Sequence, residues 1–131
     1  MSDFLDMAAQ SIKDGFRLAT TDSHLASKDA GWYHDAKTKK PLERNVPEML
    51  CLIHSEISEA MEGYRKSLQD DKLPHRKMVE VELADAMIRI FDLAGYLNLD
   101  LGGAYVEKRQ YNEKRADHKL ENRGKPGGKA F

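Results

Sequence analysis

The sequence predicts an all-α fold, a single-domain bundle of about four main helices completed by dimerisation. Two observations carry this expectation. Apolar residues recur at three- and four-residue spacing in successive stretches, the signature of amphipathic helices. No alternating apolar and polar run reads as a strand beyond chance, and no internal repeat is present. Several strong apolar stripes in one short chain also predict that some are buried against a second copy.

The first helix is expected from about Asp3 to Ala26, where Phe4, Leu5, Ala8, Ile12, Phe16 and Ala19 share a face. Thr20, Thr21, Asp22 and Ser23 blur its end, because their side chains compete for backbone hydrogen bonds. Residues 28–45 hold Gly31, Pro41, many charges and the pair Trp32-Tyr33, and read as a loop. A second helix opens near Asn45, with Pro47 in its first turn and Glu48 near the positive end of its dipole. It runs to about Leu68 on a core stripe of Leu50, Ile53, Ile57, Ala60, Met61 and Tyr64.

A polar connection ending in Pro74 leads to a third helix, from about His75 to Leu97. Its core face is Val79, Leu83, Ala86, Ile90, Ala94 and Leu97. The short connection makes helices two and three antiparallel neighbours. Asn98 and Asp100 separate this helix from a fourth, more polar one over about Leu101 to Lys119. Residues 1–120 thus form the helical domain, and the Gly-containing basic residues 121–131 a flexible tail.

With 131 residues the chain can enclose one core of moderate size. A net charge of −1 supplies no general attraction to nucleic acid. Cys51 is alone, so no intramolecular disulfide forms and a reducing compartment is expected. Neither a signal-peptide pattern nor an apolar run of about 18 residues is seen, which predicts a cytoplasmic protein that does not bind membranes.

Two acidic motifs dominate the functional reading. Glu56 and Glu59 lie three apart on the second helix, and Glu82 and Asp85 three apart on the third. Residues so spaced sit about 60° apart around a helix and one turn along it, so each motif aims two carboxylates the same way. Both pairs border an apolar stripe. If the helices pack side by side, four like charges meet, and a cation is needed to hold them. A hard divalent ion with oxygen ligands is the expected partner: Mg²⁺, with Mn²⁺ able to substitute. A single such pair commonly marks only a solvated face; the adjacency of two argues for more.

Lys108, Asn112 and Arg115 recur at i, i+4 and i+7 on the fourth helix, a face able to grip phosphate oxygens. Trp32 and Tyr33 offer rings on which a base can stack, although anchoring the loop would serve as well. His54, Cys51, His118, Lys125 and Lys129 carry weaker signals, each better read as packing, surface or solvated tail.

Taken together, these residues resemble the MazG-like branch of the all-α nucleoside triphosphate pyrophosphatases. ExxE is matched by Glu56/Glu59, ExxD by Glu82/Asp85, and a downstream Lys-x₃-Asn-x₂-Arg by Lys108, Asn112 and Arg115. The resemblance covers about residues 32–131. Ser55 stands where many members double the opening Glu, and Ser58 where a Gly is frequent. The resemblance implies Mg²⁺-dependent cleavage of the α–β phosphoanhydride of a (d)NTP, giving a nucleoside monophosphate and pyrophosphate in nucleotide-pool house-cleaning. It implies at least a homodimer, and a higher homo-oligomer is compatible. Two rivals stand beside it. A di-iron or di-manganese bundle requires Glu-x-x-His pairs, which the sequence lacks. A non-catalytic helical binding module explains the amphipathic helices but not the paired acids.

Overall fold

In a computed structural model describing residues 2–131, the chain is all-α and no named strand occurs among the described residues. The helices are α1 (Ser2–Asp29), α2 (Val46–Arg65), α3 (Met78–Tyr96), α4 (Leu101–Lys114) and α5 (Leu120–Arg123), with a 3₁₀ turn, Ala116–His118, before the last. The chain divides into two compact units. One holds residues 18–99; the other holds residues up to 17 and from 100 onward, so α1 contributes to both.

The first unit is built on α2 and α3. Asn45 caps α2, its side-chain oxygen accepting from the Glu48 N–H at 3.0 Å, and Pro47 occupies the first turn as expected. At the other end the link to α3 is a hydrogen-bonded connection. The buried Asp70 carboxylate accepts from the Lys72 and Leu73 N–H groups, and the Met78 N–H donates to the Leu68 carbonyl. This connection uses residues through Lys77, so α3 opens at Met78 and not near His75. Antiparallel packing follows from the contacts: Gly63 faces Met78 while Glu56 reaches Arg89. A Cβ on Gly63 would lie only 2.7 Å from Met78 Cγ, so this glycine permits the close approach.

The expected core face of α2 holds only in part: Ala60 is buried and Ile53 half-buried, as expected. Leu50, Ile57, Met61 and Tyr64 are exposed, whereas Met49, Ala60 and Gly63 are buried. On α3 Ala86 and Ala94 are buried as expected, but Leu83 and Leu97 are exposed and Glu82 and Leu93 are buried in addition. Gly63 against Met78 is one point of close approach between the helices, and several of the larger apolar side chains are exposed. Periodicity identifies an apolar stripe but not which of two candidate stripes the neighbouring helix covers.

The Thr20–Ser23 cluster does not end α1, which continues to Asp29. The helix closes instead at Gly31, whose φ of +87° lets the Trp32 N–H return to the Ser27 carbonyl at 3.1 Å. The following segment is tied down. Buried Asp92 accepts from the Tyr33 hydroxyl at 2.8 Å, and His24 Nδ1 lies 2.9 Å from the same carboxylate oxygen. The Arg44 guanidinium donates to the Trp32 carbonyl and lies over the Tyr33 ring, and the Arg44 N–H donates to the Tyr96 hydroxyl. Burial and the Asp92 carboxylate both push the Tyr33 hydroxyl well above its ordinary pKa.

In the second unit Asp100 caps α4 through the Gly103 N–H, and Gly102 packs on Lys13 and Phe16 of α1. The fourth helix ends at Lys114, short of the expected Lys119, because Arg115 adopts an extended backbone with ψ of 124°. Residues 117–130 fold back on themselves. The Lys129 N–H donates to the Asp117 carbonyl, and the Arg123 guanidinium donates to the carbonyls of Lys129 and Ala130.

Candidate metal centre

Glu56 and Glu59 lie on successive turns of α2, and Glu82 and Asp85 on successive turns of α3. Antiparallel packing brings three of the four together. One carboxylate oxygen each from Glu56, Glu59 and Glu82 falls within a group whose members are no more than 4.8 Å apart. Asp85 is outside that trio by this distance, although its charge is felt at Glu82 and it shares a hydrogen bond with that carboxyl. The four acids differ in burial. Glu82 is only 9% exposed, Glu56 and Asp85 are half-buried, and Glu59 is exposed.

Crowding shows in the protonation of the site. Burial pushes the Glu82 carboxyl up to about 8, and a hydrogen bond with Glu56 and the charges of Glu59, Glu56 and Asp85 add to the shift. Asp85 is also raised, by burial first and then by the Glu56 charge, with Arg89 opposing. The one ion pair to these four acids among the described residues joins Arg89 Nε to Glu56 Oε1 at 2.9 Å. Sequence reasoning missed Arg89. Its signal was available, since Arg89 lies one turn beyond Asp85 and two turns beyond Glu82 on one side of α3.

The donor set is all oxygen and strongly acidic, the chemistry that suits a hard divalent cation such as Mg²⁺ or Mn²⁺. Glu82, nine-tenths buried among other carboxylates, can give up its proton near neutral pH only where a cation compensates the charge. The residues therefore fit such an ion.

Lys108, Asn112 and Arg115 belong to the other unit. Lys108 and Asn112 are on α4, but Arg115 follows its last turn, so the three do not form one helical face. Lys108 Nζ stands 4.8 Å from the Tyr111 ring centroid. Arg115 is engaged twice by Asp117, with Nε to Oδ1 at 3.0 Å and Nη2 to Oδ2 at 2.6 Å, which holds the Asp117 carboxyl below its ordinary pKa. Asn112 Oδ1 and His118 Nε2 are buried without a hydrogen-bond partner. Trp32 is 63% exposed beside the anchored Tyr33. His54 and Cys51 are exposed on α2. No helix among the described residues is long and apolar enough to cross a membrane.

Comparison of the chain with protein-family models, with curated proteins and with solved structures returns no match.

Proposed function

We propose that the chain is a Mg²⁺-dependent nucleoside triphosphate pyrophosphohydrolase of the MazG-like kind, releasing a nucleoside monophosphate and pyrophosphate. The observation that carries this reading is the convergence of Glu56, Glu59 and Glu82 on one side of an antiparallel helix pair, with a nine-tenths buried acid at its centre. Bound there, Mg²⁺ would offset the charge of the triphosphate and of the developing phosphoryl oxygens. Glu56, Glu59 and Glu82 supply the ligand oxygens, and Asp85, beside them, extends the set. A carboxylate not consumed as a ligand orients the attacking water and accepts its proton. The role of Lys108, Asn112 and Arg115 in phosphate binding, and of Trp32 in base stacking, rests on the motif resemblance and on residue chemistry. A location in the cytoplasm belongs to the same reading.

The test is a panel of the eight common ribo- and deoxyribonucleoside triphosphates with Mg²⁺, scored for pyrophosphate against orthophosphate. Pyrophosphate together with monophosphate is expected. Orthophosphate alone overturns the reaction assignment. Absence of hydrolysis, with no response to Mg²⁺, favours the non-catalytic binding module, which the exposed apolar side chains of α2 would also serve.

Those side chains support a homodimer or larger homo-oligomer within the main reading. Leu50, Ile57, Met61 and Tyr64 recur on α2 with 46–75% exposure, and Leu83 and Met87 add to the apolar surface of α3. A stripe of this length is unusual on a monomer surface. Light scattering at micromolar concentration is expected to give twice the chain mass or more, and Ile57→Glu to shift it toward monomer. A monodisperse wild-type monomer with full activity overturns this assembly.

A further inference from the structure

We propose that Arg89 is the resident counter-cation of the carboxylate cluster, and that a divalent cation gains Glu56 only by displacing it. The inference deepens the metal-centre reading and rests on it. Arg89 is the one basic residue among the described residues with an ion pair to any of the four acids, and that pair is directional, Nε to Oε1 at 2.9 Å. Its partner is not a peripheral acid but a member of the trio whose oxygens fall within 4.8 Å of one another.

The exposures of the two partners differ in a way that fits an exchange. Glu56 is 13% exposed and fixed among its neighbours, while the Arg89 side chain is 41% exposed and has open solvent to move into. A pair with one well-hydrated partner is weak and easily broken. A compact divalent ion on the same oxygens is the stronger competitor, because it gathers several carboxylates at once. Arg89 also follows Asp85 by one turn on α3, so the two lie on the same side of that helix.

The experiment titrates the chelator-treated protein with Mg²⁺ alone, and then Mn²⁺ alone, at fixed ionic strength, reading heat and thermal midpoint. Removing a unit positive charge a few ångströms from the ion is expected to tighten binding about tenfold in Arg89→Gln. Arg89→Lys, which keeps the charge, is expected to bind like the wild type, and helical circular dichroism reports whether each variant is folded. Wild-type binding with unchanged or weaker affinity in Arg89→Gln overturns the counter-cation role alone and makes Arg89 an orienting support for Glu56. No response from the wild type to either ion overturns the metal reading and the exchange with it.

Discussion

Hydrolysis is expected to fall by roughly 10²-fold or more in kcat when the most critical of Glu56, Glu59, Glu82 and Asp85 is converted to its amide, the range typical of losing an acid–base group. The amide preserves volume and one oxygen but removes the charge, so a folded protein with lost turnover separates chemistry from packing. Glu82→Gln should be the most severe, since Glu82 is the most buried of the four and is surrounded by the others. Glu59, exposed at the edge of the trio, should tolerate the change better than Glu56. Asp85→Asn separates two roles: a large loss of turnover with metal affinity retained assigns it to the water, and loss of both assigns it to the ion. Steady-state release of pyrophosphate, measured over a range of Mg²⁺ concentrations, decides among these. Near-normal turnover in all four variants removes the acids from the chemistry.

The second large effect is on stability without metal. The folded chain holds a proton on Glu82 up to about pH 8, whereas an unfolded glutamate releases it near 4.5. Between those values the folded state binds more protons than the unfolded state, so stability falls as pH rises through that window and levels off above it. Raised Asp85 contributes in the same direction from its own ordinary value upward. Thermal midpoints of the chelated protein should therefore be lower at pH 8 than at pH 5.5. Glu82→Gln should flatten the dependence and raise the midpoint at pH 8 by roughly 4 °C or more, about 1 kcal/mol for a domain of this size. Added Mg²⁺ should reverse the alkaline loss in the wild type and leave Glu82→Gln little changed. A wild-type midpoint independent of pH over this range contradicts the crowding described at the cluster.

Much of the architecture was legible in the residues. The four helices, the opening of α2 at Asn45 and the antiparallel order of α2 and α3 follow from periodicity, helix-start signals and a short connection. What the sequence concealed was the choice between two stripes on one helix. Gly63 carries no hydrophobic signal, yet its lack of a side chain lets Met78 of α3 approach closely, and Glu82 of that helix is buried. The bulkier Leu50, Ile57 and Met61 carry the signal and are exposed. The end of α4 was concealed for another reason. Nothing in the order Lys114-Arg115-Ala116 breaks a helix by propensity, but pairing of Arg115 with Asp117 stabilises the turn that replaces it. Arg89 went unnoticed because a lone arginine on a helix has meaning only once its partner across the interface is known.

One feature of α3 sets a mechanical condition on the rest of its unit. Asp92, which receives Tyr33 and His24, follows Asp85 by seven residues, two helical turns, and so projects toward nearly the same side. The acids and the anchor of the Trp32 segment are thus in phase along a single rigid rod. Inserting or deleting one residue between them would turn one group about 100° away from the other while leaving every side chain intact. The helix therefore works as a camshaft: a rotation that re-aims Glu82 and Asp85 re-aims the Trp32 segment with them. Independent tuning of the two requires change in the loop, where Arg44 and the turn at Asp35 can be altered without disturbing the phase of the rod.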